Sequence, residues 1–178
     1  MNKLLFTILL YVCTGYQITA QKTAMETSGD ILQFAIPAAA LTSTFFYQAD
    51  DKPHWQFLKS YALTLVTVHS LKPLIDKPRP NGGHYSFPSG HTASAFSGAA
   101  FLQKRYGWKI GMPAYLLASY VGYTRIEARK HDIYDVIGGA TIAVISAYIF
   151  VKPFKNKQLS FNLTKSGNLY CFGINYRY

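Results

Sequence analysis

Charge is what this sequence has least of. Only 15% of its 178 residues are charged, against roughly 25% in an ordinary soluble domain. The shortage falls on the carboxylates: 8 acidic residues stand against 18 basic ones, for a net charge of +10. With acids this few and scattered, no carboxylate cluster exists to hold a hard cation, so neither a metal nor a cofactor is expected. Cysteine is nearly absent. Cys13 and Cys171 lie in dissimilar segments, which argues against a disulfide or a thiolate metal site. There is no basic helix face and no RNA-type aromatic motif, so nucleic acid is not the expected partner. An anionic membrane surface or an anionic small substrate remains to account for the positive excess. Internal repeats and low-complexity tracts are also missing.

What the chain does have is apolar length, with 49% hydrophobic residues. Lys3 precedes an apolar run from Leu4 to Val12, and a more polar stretch follows to Ala20. That is the layout of a secretory signal over residues 1–20, cleaved near Ala20. An uncleaved first membrane helix is the alternative, and in either case residue 21 emerges on the outer side. Five further segments read as helices, at 31–47, 55–75, 89–106, 110–125 and 131–151. Four of them have interiors without charge, and a helix on the surface of a soluble protein carries a charged face. Their runs of about 15 to 18 residues sit at the short end for a membrane span. Their Ala, Ser, Gly and Thr suit close helix packing in lipid.

The expected fold is therefore all-α, a membrane-embedded bundle of about five core helices over residues 21–152. A compact periplasmic bundle is the competing reading. If residue 21 starts outside, the inner loops hold Lys52, Lys104, Arg105, Lys109, Lys152, Lys155 and Lys157, as the positive-inside rule asks. The tail, 153–178, changes character. Ser166-Gly167-Asn168 separates two alternating segments, which predicts an appended β-hairpin.

The outer loops are basic too, and topology does not require that. Lys72 and Arg79 come from the second of these helices and the loop beyond it, in KPLIDKPRP. Ser89, Gly90 and His91 open the next helix, with Ser89 a good N-cap behind Pro88. A helix start has free N–H groups and a positive dipole end, so it attracts anions. Arg125 closes the fourth helix, and His131 and Asp135 open the fifth. All lie on the same expected side. Arg grips phosphate oxygens in a fork and Lys acts as a point charge. His131 and Asp135, four apart, would share a helix face. A carboxylate holding the Nδ1 proton of His131 leaves Nε2 bare as a nucleophile. His91 is then placed to protonate a leaving oxygen. His69, one turn before Lys72, reads as a hydrogen-bonded residue within the bundle. His84, in the loop after Asn81-Gly82-Gly83, could shape substrate entry or belong to a plain mobile loop.

Three motifs are present in order: K-x6-R-P at 72–80, P-S-G-H at 88–91 and R-x5-H-x3-D at 125–135. Together they resemble the signatures of the type 2 phosphatidic acid phosphatase superfamily, with flanking helices extending the likeness to about 31–151. The resemblance implies metal-independent hydrolysis of a phosphomonoester or diphosphate through a phosphohistidine. It assigns His131 as nucleophile, Asp135 as its partner and His91 as acid/base. Lys72, Arg79, Ser89, Gly90 and Arg125 become phosphate ligands. One departure is Thr124, where the family usually has Ser before the third-motif Arg. The implied partner is a phosphorylated lipid, and the implied setting a bacterial inner membrane, crossed several times, with the site facing the periplasm. A soluble periplasmic acid phosphatase and a non-catalytic phospholipid-binding protein are the alternatives.

Overall fold

The computed structural model describes the backbone of residues 3–46, 52–154, 159–166 and 169–176, and side chains over 24–46 and 52–154 and at Tyr170. Five helices form the core: α1 (Lys3–Phe46), α2 (Pro53–Ile75), α3 (Gly90–Tyr106), α4 (Trp108–Glu127) and α5 (Ile133–Phe150). The core is all-α, as expected. Two tail strands, β1 (Leu159–Ser166) and β2 (Leu169–Tyr176), are drawn as an antiparallel pair. Their turn and all their side chains but Tyr170 lie outside the described residues, so the hairpin stays an expectation.

Helix α3 packs against each of the other four helices. Its small residues make that possible: Ala93, Ala95, Ala99 and Ala100 have no exposed surface. At Gly98 an added Cβ would lie 2.7 Å from the backbone N of Pro37 in α1, so only glycine permits that backbone approach. Phe101 meets Phe57 of α2 edge-on, with ring centroids 5.1 Å apart. Ile36 and Val121 complete the buried apolar centre.

Outside this core the surface is apolar. Phe34, Val66, Leu116, Ile137, Ile145 and Ile149 are all exposed. Among the described residues one helix, Ile133–Phe150, is long and apolar enough to cross a membrane, with mean hydropathy 1.7. His69 is exposed on α2 rather than enclosed by the bundle.

The C-terminal ends of α2 and α4 and the N-terminal ends of α3 and α5 gather at one end of the bundle, where α1 passes at Asp30. At the other end Phe154 N–H donates to Arg105 O at 2.8 Å and Lys152 N–H to the Gln56 side chain at 2.8 Å. An open depression of about 590 Å³ at that far end is lined by Gln103, Arg105, Tyr148 and Phe154.

Candidate active site

The start of α5 is built by a reciprocal cap. The Asp132 side chain accepts from Asp135 N–H at 3.0 Å, and Asp135 Oδ2 accepts from Asp132 N–H at 3.1 Å. His131 therefore precedes the helix, and the expectation that it shares a helical face with Asp135 is corrected. The cap makes the pair instead. It turns the Asp135 carboxylate back toward the chain entering the helix. There Asp135 Oδ2 lies 3.4 Å from His131 Nδ1.

Two further side chains fix that carboxylate. Lys77, from the loop after α2, donates to Asp135 Oδ1 at 2.8 Å and to Asp132 Oδ2 at 2.5 Å. Ser86 Oγ donates to Asp135 Oδ2 and lies 3.4 Å from His131 Nδ1. Ser86 is held in turn by its own N–H, which donates to Lys77 O at 2.8 Å. Asp135 is fully buried and both its oxygens accept hydrogen bonds, which favours a buried carboxylate staying charged.

His131 is only 4% exposed. Burial disfavours its cationic form, and the charges of Lys72 and Arg79 push the same way against the pull of Asp135. The result is a pKa lowered to about 4. The ring is thus neutral at neutral pH. With its Nδ1 proton directed at Asp135, Nε2 carries the free lone pair. Lys77 behaves oppositely: burial alone would lower its pKa, but the hydrogen bonds to Asp132 and Asp135 outweigh it and raise the value.

Lys72 Nζ donates to Tyr85 O at 2.9 Å and Arg79 Nε to His84 O at 3.0 Å. Arg79 also anchors a tight turn, with Arg79 N–H to Gly83 O at 2.6 Å and Gly82 N–H to Arg79 O at 2.9 Å. Gly82 has φ of 88° there, a region that suits glycine. The loop is thus a hydrogen-bonded turn, and His84 pairs with Asp76 at 3.3 Å.

Ser89 is the N-cap of α3, its Oγ accepting from Thr92 N–H at 3.4 Å. Its own N–H donates to Asp135 O at 2.9 Å. The amides that this helix start leaves for an anion are therefore those of Gly90 and His91, not that of Ser89. The contact also ties the second motif to the third. A Cβ on Gly139 would lie 2.5 Å from Ser89 O, so glycine is needed for α5 to come this close.

Arg125 has no exposed surface. Its Nε donates to Thr124 Oγ1 at 3.1 Å, Nη2 to Glu26 O at 2.7 Å and Nη1 to Asp30 Oδ1 at 2.6 Å. The Thr124 hydroxyl thus orients the guanidinium, a use that Thr and Ser serve equally. His91 Nε2 lies 3.0 Å from the same Asp30 oxygen. Lys130 pairs with Glu26. The third motif closes through backbone bonds, with Lys130 N–H and His131 N–H donating to Arg125 O at 3.1 and 3.3 Å.

All three motifs therefore meet at one end of the bundle. Their residues fall into two linked groups, one around His131 and Asp135, the other around His91 and Arg125. The sequence reading missed Lys77, Ser86, Glu26 and Asp30. Among the described residues no three His, Cys, Asp or Glu side chains form a group able to hold a metal.

The PAP2 superfamily model matches residues 53–159. This chain belongs to the PAP2 superfamily. It is 30% identical over 146 residues to a lipid A 4'-phosphatase of Helicobacter pylori, spanning 75% of this chain and 73% of that one. The crystal structure of Aquifex aeolicus LpxE superposes with a TM-score of 0.62 at 27% identity, covering 73% of this chain and 84% of that one. A transmembrane PAP2-type phosphatidylglycerolphosphate phosphatase from Bacillus subtilis superposes with a TM-score of 0.54 at 20% identity, covering 82% and 92%. The last likeness concerns the fold alone. As a PAP2 protein the chain is a phosphoric ester hydrolase.

Proposed function

We propose that this PAP2 protein hydrolyses a lipid phosphate or diphosphate without a metal, through a phosphohistidine, at the periplasmic face of a bacterial inner membrane. The observation that carries the reading is the buried, neutral His131, with Nδ1 against Asp135 and with Lys72 and Arg79 close enough to depress its pKa to about 4. A neutral imidazole under positive charge is a nucleophile beside an anion site.

In the first half-reaction His131 Nε2 attacks phosphorus and the P–O bond to the lipid breaks. His91 gives its proton to the leaving oxygen. In the second, water attacks the phosphohistidine, His91 takes the water's proton, the P–N bond breaks and phosphate leaves. Lys72, Arg79, Arg125 and the Gly90 amide carry the charge that builds on the equatorial oxygens. Asp135 holds the tautomer and stabilises the ring as it becomes cationic.

Three features support a lipid substrate and a membrane setting. The helices are apolar on the outside, α5 is long enough to span, and the relatives named above include a lipid A phosphatase. Candidate substrates are a phosphorylated outer-membrane glycolipid, a polyprenyl diphosphate and phosphatidylglycerol phosphate. The leader expected at 1–20 belongs to the same proposal. The test is phosphate release from a panel of these lipids, with p-nitrophenyl phosphate as the soluble ester, in EDTA and alongside His131→Ala. Release from lipids that survives EDTA and is lost in the variant supports the reading. Release unaffected by His131→Ala would contradict the nucleophile. Release from the soluble ester alone would favour a soluble-substrate acid phosphatase, and no release from any substrate would favour a binding protein.

A further inference from the structure

Asp30 lies in no motif, yet it touches residues of two of them. It lies on α1, outside the segment 53–159 that matches the family. Its Oδ1 receives Arg125 Nη1 at 2.6 Å and faces His91 Nε2 at 3.0 Å. One oxygen thus holds both the proposed proton donor and a proposed phosphate ligand. The side chain is 45% exposed while Arg125 is fully buried, so the carboxylate sits at the open edge of the site. The fit of α1 there is tight. A Cβ on Gly29 would lie 2.5 Å from Arg125 Nη2, so the neighbouring position has no room for a side chain.

We propose that Asp30 is a positioning residue of the hydrolysis: through Nε2 it favours the proton-bearing form of His91 and turns Nδ1 to the leaving oxygen, while fixing Arg125 in register. This rests on the phosphohistidine reading above. The charges facing His91 are Asp30 from α1, Arg125 from α4 and Lys130 from the loop after it, with Glu26 on α1 paired to Lys130. Burial and the two cations beside the imidazole disfavour its protonation, and Asp30 is the carboxylate that opposes them. The arrangement parallels His131, where a carboxylate on one ring nitrogen frees the other. In the first step the Nδ1 proton of His91 passes to the lipid oxygen as the P–O bond breaks and the P–N bond forms. His91 is left neutral, its Nε2–H on Asp30. In the second step water attacks phosphorus, its proton goes to Nδ1, the P–N bond breaks and phosphate departs. Even if a leader is cleaved near Ala20, Asp30 stays in the mature chain.

The test compares leaving groups in the full-length detergent-solubilised enzyme. Phosphatidic acid loses a basic alkoxide that needs a proton, whereas p-nitrophenyl phosphate loses a phenolate that scarcely does. For Asp30→Asn, kcat on phosphatidic acid is expected to fall on the order of 100-fold, and on p-nitrophenyl phosphate far less. The alkaline limb of kcat/KM should move to lower pH, because the protonated ring has lost its carboxylate. Asp30→Glu should restore part of the alkyl-ester rate and guards against a folding loss in the first variant. An equal fall on both esters with an unmoved pH profile, or wild-type rates on both, overturns the proposal. If the wild-type enzyme releases phosphate from neither ester nor any lipid of the panel above, or His131→Ala remains active, the phosphohistidine reading fails and takes this one with it. That result differs from a failure of Asp30 alone, in which wild type is active and His131→Ala is dead.

Discussion

His131 and Asp135 were legible as a pair because the third motif fixes their spacing. The side chains that make the pair work were not. Lys77 hides among the six variable positions of K-x6-R-P, and Ser86 stands two residues before the P-S-G-H run. Nothing in a linear reading says that both turn onto Asp135. Asp30 lies far upstream on another helix, and its one local signal is that it closes off an uncharged run. The residue scale yields two predictions. Asp135→Asn keeps the shape but loses the charge that Lys77 and Ser86 were built around, so kcat should drop by about 10³-fold or more, as in other catalytic histidine–carboxylate pairs. Wild-type turnover by a folded variant would remove the orienting role. The second concerns pH. The folded pKa of His131, about 4, lies below the ordinary 6.5. The free ring is then unprotonated at pH 5 to 6, and the nucleophile is lost only as pH falls through about 4. Replacing Arg79 by Met removes one depressing charge and should move that midpoint upward. An NMR titration of the His131 ring reads both, and a wild-type midpoint near the ordinary value would contradict the electrostatic account.

At the scale of the helix, where each one starts and stops mattered more than its existence. Composition placed all five core helices. Caps decided the residues that count chemically, and a cap is legible only when its partner is known. Ser89 was read correctly as the cap of α3. At α5 the reading began one residue before the actual cap, Asp132, and so set His131 on a helix it does not belong to. The junction of α3 and α4 is also tighter than helices at 89–106 and 110–125 imply, with inner-loop cations between them: it is a single residue, Gly107, with φ of 87°. Lys104 and Arg105 close α3 instead. A thermal melt in detergent checks both ends. Gly107→Ala should cost on the order of 1–2 kcal/mol, because a Cβ disfavours that backbone conformation. Asp132→Ala should cost about 1 kcal/mol as a lost cap and also lower kcat, since the same cap aims Asp135 at His131. Asp132→Asn keeps the capping oxygen and should recover most of the stability. If Asp132→Ala melts early but turns over at the wild-type rate, the cap is a stability device and does not aim the site.

For the whole molecule, the pattern to explain is apolar surface around the waist and charge at the ends. Exposed Phe34, Leu116 and Ile149 would be costly in water, and bilayer contact removes that cost. The composition made this legible without any motif. The end opposite the site was read as a row of inner-face cations, and one of them departs from that picture. Arg105 is 2% exposed, donates to Lys152 O at 3.3 Å and lies over the Phe154 ring, so it braces the chain leaving α5 and offers little charge to a lipid surface. Lys52, Lys109 and Lys152 remain outward there, which is enough to bias orientation. The expected topology then puts Gly83, in the turn beside Arg79, on the periplasmic side and Lys109, at the start of α4, on the cytoplasmic side. In a background with Cys13 and Cys171 replaced by Ser, Gly83→Cys in intact cells should react with a membrane-impermeant maleimide, and Lys109→Cys only after the inner membrane is opened. Carbonate washing should leave both variants in the membrane pellet. Labelling of both cysteines in cells with an intact inner membrane, or release into the wash, would mean that the bundle does not cross. The apolar waist would then have to be covered by something other than lipid.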